Sequence, residues 1–466
     1  MTTPGFILDR LRAAALKSPN PPWPVRAERL RTLATLIREN RDAMADAIDR
    51  DFGGRPGEET DLLEIFPSLS AIEHALRHGR RWMKPQRRWA NTWFLPARTE
   101  VVPQPLGVVG IIVPWNYPMY LAVGPLTDAL AAGNLAMVKL SEFTPAFSSL
   151  FAALAVRYFP DGEIAVVNGD AETGRVFAAL PFDHLLFTGS TNVGREVMRA
   201  ASANLTPVTL ELGGKSPALI GPGARFEHAV ERIVFGKLVN AGQTCIAPDY
   251  ALLPRDRVQD FVDAAHRVTQ RMYPDLTHNT QHASIASDHQ YRRLVSLRDD
   301  ATARGAQAHR LGGAVDDPTG RRLAPCLLTG VDEGMRVMQE EIFGPLLPLL
   351  PYDSLEEAIG YIAAHAHPLA LYLFEENRAL VDDVLARTTA GGVSINDTLL
   401  HVAQHRLPFG GVGASGMGGY HGETGFRTFS HMKPVFRQSR FNGSGLLNPP
   451  YGARFRRLLA LMLGRG

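Results

Sequence analysis

The sequence predicts an α/β protein, a parallel sheet wrapped by helices and followed by a second α/β region. Two observations carry the prediction. Short apolar runs alternate with helix-period segments from residue 107 to 212, and a second alternation runs from 218 to about 396. The length of 466 residues, about three times a typical domain of ~150, gives room for both.

The chain opens with amphipathic helices. Leu30, Leu33, Leu36, Ile37, Met44 and Ile48 recur at helical spacing across 27–50, and Leu62, Ile65, Leu69, Ile72 and Leu76 across 61–81. A Pro- and Trp-rich stretch, 85–105, reads as a projecting strand or crossover. Strands are expected at 108–113, 135–140, 164–168, 184–188 and 208–212. Helices at 119–132, at 145–158, through 176 and at 193–203 fill the intervals, with Gly133-Asn134 and Pro160-Asp161-Gly162 as stops. In the second region 226–239 and 258–272 are the clearest helices, and the glycine-rich stretch 407–425 is expected to be a loop. Ligands of parallel sheets bind beyond the carboxyl ends of the strands, so residues there carry the functional reading.

Composition narrows the classes. With 49 basic and 47 acidic side chains, no general field favours nucleic acid or an anionic membrane. Two cysteines cannot form a disulfide framework and suit a reducing cytoplasm, the expected location. No run approaches the ~20 apolar residues of a membrane span. Asp9, Arg10, Arg12 and Lys17 interrupt any secretory signal in 1–19. Near the C-terminus, Arg454-Phe455-Arg456-Arg457 leads into 458–463, a short basic amphipathic helix that packs on the protein body or touches a membrane surface peripherally.

Several segments place polar chemistry at strand ends. After 184–188, Gly189-Ser190-Thr191-Asn192-Val193-Gly194 leads into a helix. Glycine lets backbone approach a pyrophosphate, which free N–H groups of a helix start and the Ser190 hydroxyl can bind. A tight turn needing glycine explains the same residues equally well. Lys139 and Glu142, after another strand, can reach an adenosine ribose or form a solvated pair. Glu211 of Glu211-Leu212-Gly213-Gly214-Lys215 ends a further strand. In Gly242-Gln243-Thr244-Cys245 a cysteine stands on a polar, glycine-containing loop, as a nucleophile or as an incidental thiol. Cys326, in apolar surroundings, reads as core. Pro114-Trp115-Asn116-Tyr117-Pro118 stiffens an Asn amide, which suits donation to a developing oxyanion and also suits a plain turn. Glu340-Glu341-Ile342-Phe343-Gly344-Pro345 sets two carboxylates beside an aromatic, as a ligand contact or a solvated face. No His or Cys spacing fits a metal site, so no metal is expected.

In their order and spacing these segments resemble the aldehyde dehydrogenase superfamily, over about residues 5–440. Residues 242–250 and 407–417 resemble its class 3 branch. Ser141-Glu142-Phe143-Thr144-Pro145, residues 180–187 and Gly419-Tyr420-His421-Gly422 are most similar to its coniferyl aldehyde dehydrogenases. Leu140 departs from the pattern, because many relatives carry proline there.

The resemblance implies Cys245 as nucleophile, Glu211 as base, and Asn116 with the Cys245 N–H as oxyanion hole. It implies cofactor contacts at Lys139 and Glu142 (ribose), at Gly189, Ser190, Thr191, Val193 and Gly194 (pyrophosphate), and at Glu341 and Phe343 (nicotinamide half), with Trp115 and Leu212 beside them. It implies a Rossmann-like NAD(P)-binding domain (1–84 and 105–210), an α/β catalytic domain (211–414), a small β oligomerisation arm (85–104 and 415–440) and a C-terminal tail (441–466). The longer N-terminal arm of the tetrameric classes has no counterpart here, so a homodimer is expected.

The implied reaction oxidises an aldehyde, aromatic such as coniferyl aldehyde or long-chain, to the acid. It runs through a cysteine thiohemiacetal and a thioester that Glu-activated water hydrolyses. NAD is the expected cofactor, because Glu142 repels a 2′-phosphate, with NADP accepted as in class 3 relatives. Trp115, Tyr117 and Phe409 suit an apolar substrate, His405 its entrance, and residues 446–463 a tunnel wall. The alternatives are acyl transfer to CoA or phosphate, a thiol hydrolase with a His partner, and a non-catalytic scaffold.

Overall fold

The computed structural model describes residues 3–464 apart from Asp161. The outermost residues of the expected spans 1–84 and 441–466, and Asp161 of the expected helix stop, lie outside the described residues.

Three sheets organise the chain. In the first, Val208–Glu211, His184–Thr188, Val108–Ile112, Leu135–Lys139 and Ile164–Val167 run parallel in that spatial order. Burial on both faces makes these strands near-continuous apolar runs, which is why they were legible. A seven-stranded sheet follows, in the order Gln307–Arg310, Cys326–Thr329, Leu346–Tyr352, Tyr250–Pro254, Pro217–Ile220, Ala370–Phe374 and Gly392–Ile395. Only its first strand is antiparallel. The third sheet is an antiparallel ribbon in which Arg98–Pro105 pairs along its length with Ser430–Arg437 and also with Gln86–Arg88.

The structure departs from the expected elements at five places. The 27–50 stretch is two helices, Trp23–Glu39 and Arg41–Phe52, broken at Asn40, whose amide donates back to the Leu36 carbonyl at 2.8 Å. The 61–81 stretch contains a π-helical turn, Asp61–Ile65, before the helix Phe66–Trp82. The helix expected from 193 begins at Thr191, because the Ser190 hydroxyl caps it by accepting from Val193 N–H.

The glycine-rich 407–425 stretch is not loop throughout, since Gly416–Met417 adds an antiparallel edge strand at Glu211 and Gly422–Thr428 is a helix. Gly416 has φ +144°, and a Cβ there would meet the Leu210 carbonyl oxygen at 2.1 Å, so only glycine brings the strands this close. Residues 416–417 therefore belong to the first sheet rather than to the arm, whose ribbon draws on 430–437. The tail helix Ala453–Met462 buries no residue, and its Leu458 and Met462 face a groove shared with Trp93, Phe94 and Phe436 of the ribbon. No helix of the described residues is long and apolar enough to cross a membrane.

The helix Tyr120–Ala132 runs through the centre and is buried on every side, as its all-round apolar sequence requires. Its last carbonyls would be orphaned there. The buried Arg26 guanidinium donates to those of Ala131 (3.1 Å) and Ala132, and Gly133 turns the chain out with φ +94°. Asn134 then joins three elements. Its Oδ1 accepts from Leu106 N (2.7 Å) and Gly107 N (2.9 Å), and its Nδ2 donates to the Phe429 carbonyl (2.8 Å).

Replacing Asn134 by Ala strands those backbone groups. The expected loss is about 1–3 kcal/mol, read as a lower thermal-unfolding midpoint by scanning fluorimetry, and an unchanged midpoint would remove Asn134 as the tie.

Candidate active site

Beyond the carboxyl ends of three parallel strands lies a cavity of about 550 Å³, which also meets the 339–343 segment. On its walls stand Asn116 and Trp115 after one strand, Gly189 to Thr191 after the next, and Glu211 and Leu212 after the third. Cys245, Glu341 and Phe343 face the same space from the other side.

The Cys245 loop owes its shape to backbone few residues adopt. After the helix Phe226–Leu238, Asn240, Ala241 and Gly242 take φ +51°, +51° and +73° in succession. Anchors offset that strain. Glu59 Oε2 accepts from Asn240 N at 3.1 Å. Asn240 Nδ2 donates to the carbonyls of Asn116 and Gln243, each at 3.2 Å. Gln243 is itself fixed by Asn240 O (3.0 Å), Ser284 O (3.1 Å) and Ala286 N (2.9 Å). Asn116 Nδ2 donates to the Gln243 carbonyl at 3.1 Å, and the Tyr117 hydroxyl bonds that of Thr244. Asn116 is therefore held beside the cysteine loop.

Burial holds the protonated form of three acidic groups here. Burial pushes the Cys245 thiol up to about 12, helped by the nearby Glu341 and Glu211. Burial alone raises Glu211 well above the carboxylate range, and neither of its oxygens meets a protein donor. Glu341 is pushed up to about 8 by burial and Asp249, against the Gly214 N–H. Its carboxylate lies over Gly213, where a Cβ would stand 2.0 Å from Oε2. Lys215 bolts this region together by pairing with Asp249 and donating to the carbonyls of Val337 (2.8 Å) and Glu340 (3.3 Å).

Gly189, Ser190 and Thr191 present the first turn of the helix Thr191–Ser202 to the cavity. Val193 and Gly194 lie one turn in rather than on the wall; a Cβ at Gly194 would meet Leu212 at 2.7 Å, so this glycine lets helix and sheet approach. Lys139 is buried and donates to Leu140 O (2.7 Å) and Glu142 (3.3 Å), while Glu142 is exposed. That pair also lies outside the cavity wall, although the Lys139 carbonyl accepts from Val113 N, two residues before Trp115. Trp115 meets Phe343 edge-on at 5.4 Å. Of the residues linked to substrate, only Trp115 is on the wall; Tyr117, Phe409 and His405 are buried, His405 against His74 and His421.

Sequence reasoning missed Arg293, which donates to the Glu341 carbonyl (3.2 Å) and to Ile342 O, and meets the Glu340 carboxylate at 3.4 Å. It sits on a polar helix, Asp288–Ala303, with no motif to mark it. Glu340 pairs with Arg336 (2.9 Å) as well, so of the adjacent carboxylates it is the structural one. Thr188, whose buried hydroxyl has no protein partner, was missed too. Among the described residues, no group of three or more His, Cys, Asp or Glu is placed to hold a metal ion.

A strand-end cleft lined by a helix N-terminus, a thiol and two buried carboxylates outlines a nucleotide-using oxidoreductase. The family model described as the aldehyde dehydrogenase family matches residues 9–435, and the chain belongs to that family. It is 51% identical to a probable coniferyl aldehyde dehydrogenase of Pseudomonas aeruginosa, over 97% of this chain and 94% of that one. The solved substrate-bound AldH of Staphylococcus aureus superposes with a TM-score of 0.92 at 38% identity, covering 98% of each chain. A Mycobacterium tuberculosis aldehyde dehydrogenase complexed with NAD+ gives 0.83 at 28% identity, over 93% of this chain and 89% of that one. The protein is thus an aldehyde dehydrogenase.

Gly242 is the most constrained point of the cysteine loop, because a Cβ there would meet the carbonyl oxygens of Gly344 at 2.4 Å and Lys237 at 2.9 Å. Gly242→Ala should displace Cys245 and lower turnover about 10²-fold with circular dichroism unchanged. Wild-type rates in the alanine variant would show that the loop tolerates the shift.

Proposed function

We propose that the protein oxidises aldehydes to carboxylic acids with NAD(P)+, using Cys245 as nucleophile, Asn116 as oxyanion donor and Glu211 as base. The observation that carries this reading is the convergence of these three side chains on one cleft that a helix start also lines.

The cleft fits a dinucleotide. Gly189 leaves backbone bare and Ser190 adds a short side chain at the helix start, and the Thr188 hydroxyl, buried without a protein partner, is free to bond a ligand. Gly189 to Thr191 would hold the phosphates, Lys139 and Glu142 the ribose, and Trp115, Leu212, Glu341 and Phe343 the nicotinamide half. NAD(P)+, when bound, supplies the hydride acceptor and a positive charge. Glu142 favours NAD, since its carboxylate repels a 2′-phosphate.

An aldehyde carbon cannot release hydride until it is tetrahedral. Cys245 attacks it as the thiolate, its thiol proton passed to solvent water, and the Asn116 amide and Cys245 N–H stabilise the resulting oxyanion. Loss of hydride leaves a thioester on Sγ. Glu211, once ionised, takes a proton from water, which hydrolyses that thioester. No histidine stands on the cavity wall among the described residues, which disfavours a thiol hydrolase. A buried base at Glu211 favours water over CoA or phosphate as acceptor.

The substrate is an apolar aldehyde, aromatic such as coniferyl aldehyde or long-chain, as the Pseudomonas relative's name and the Trp115 face suggest. We assign 1–84 and 105–210 to cofactor binding, 211–414 to catalysis, and the arm of 85–104 and 415–440, apart from the sheet residues 416–417, to a homodimer contact.

Cys245→Ala should lower turnover by at least about 10³-fold while NAD+ binding, followed by tryptophan quenching, persists; normal turnover would end the nucleophile assignment. Glu211→Gln should give one hydride burst per site at 340 nm and then a slow steady state. Equal loss of both phases would place Glu211 at or before hydride release.

The raised thiol pKa means that Cys245 is uncharged through neutrality and gains thiolate as pH climbs toward about 12. Its iodoacetamide alkylation in the free enzyme should therefore rise about tenfold per pH unit between 7 and 9. A plateau in that range would mean a thiolate already formed.

A further inference from the structure

We infer that the buried Arg55–Glu64 ion pair is a positioning device for the Asn116 amide, setting its angle toward the substrate oxygen; this rests on the oxyanion reading of Asn116. Both side chains are fully buried and joined at 2.7 Å. A buried ion pair returns little net stability, because desolvating the charges offsets their attraction. Its value has to be sought in geometry.

Arg55 Nη1, the nitrogen bonded to Glu64, also donates to the Asn116 carbonyl at 3.3 Å. The other Glu64 oxygen accepts from Met119 N at 2.8 Å and Tyr120 N at 3.0 Å. The pair thus grips the 116–120 turn from both sides, by a carbonyl at its start and two N–H groups at its end. Pro118 within the turn has no N–H to contribute.

Arg55 Nε and Nη2 have no partner, and the guanidinium lies 5.0 Å from the ring centres of both Phe52 and Tyr117. The aromatic faces stabilise the cation without directing it. All its direction comes from Nη1, which is aimed at the turn. Tyr117, one residue beyond Asn116, bonds Thr244 beside Cys245, so the grip extends to the nucleophile.

The π-helical turn Asp61–Ile65 makes this reach available. Glu59 and Glu64 are five residues apart, which on an α-helix would point them about 140° apart. The wider turn brings both inward, Glu59 to Asn240 of the cysteine loop and Glu64 to the Asn116 turn.

The test is a double-mutant cycle on the full-length enzyme. Asn116→Ala alone should lower the hydride-burst rate by about 10²–10³-fold; if it does not, the oxyanion reading fails and the cycle stops there. Given that loss, Arg55→Met and the charge-retaining Arg55→Lys should each slow the burst, Met by about 10²-fold and Lys by less, with NAD+ affinity unchanged. In the Asn116→Ala background both should cost less than twofold further, because the amide they aim is gone. The same fold-loss in both backgrounds, or a wild-type burst in Arg55→Lys and Arg55→Met, overturns the inference. Should Arg55→Met fail to fold, the comparison rests on Arg55→Lys and on Glu64→Gln, which keeps an acceptor for the 119 and 120 N–H groups.

Discussion

Loops from two different sheets meet at one carbonyl oxygen, that of Asn116. It accepts from Asn240 of the cysteine loop at 3.2 Å and from Arg55 at 3.3 Å, while the Asn116 side chain reaches back to Gln243. Break that junction and the turn after Val108–Ile112 parts from the loop before Cys245. The parallel sheets set the height of each strand end, but only this knot of amides sets one strand end against the other. Rigidity is concentrated where a few tenths of an ångström matter to chemistry. Consecutive left-handed residues at 240–242 are the strain stored there.

A second constraint is electrical. The cleft holds a thiol and two carboxylates, all raised by burial. The buried Lys237 ammonium, lowered to about 8 by the same burial, faces Glu341 and Asp249 but bonds neither. Burial keeps these three groups in their protonated forms, and a cation arriving in the cleft would favour the charged form of each.

Much of this was legible in the sequence, for physical reasons that differ by residue. Strands buried on both faces declare themselves as apolar runs bounded by glycine or proline, and Glu211, Gly189 and Asn116 were singled out because each stands at or shortly beyond the end of one. Cys245 stood out as a thiol on a polar loop. What was lost lies where local pattern is silent. A π turn leaves helical periodicity almost intact, so 61–65 looked ordinary. A two-residue strand such as Gly416–Met417 has no period to detect. Arg293 acts through carbonyls of a segment distant in sequence, and nothing on its own helix announces that.

That two-residue strand has a bearing on how the chain is made. Glu211 and Gly416 lie roughly 200 residues apart, yet they pair edge to edge. At about 5–20 residues per second, ribosomal synthesis leaves the Val208–Glu211 edge bare for roughly 10–40 s before its cover emerges. A bare strand edge invites foreign pairing. The first sheet therefore has its parallel strands synthesised long before its edge is sealed, and the interval between is when a nascent chain most needs a chaperone's shelter.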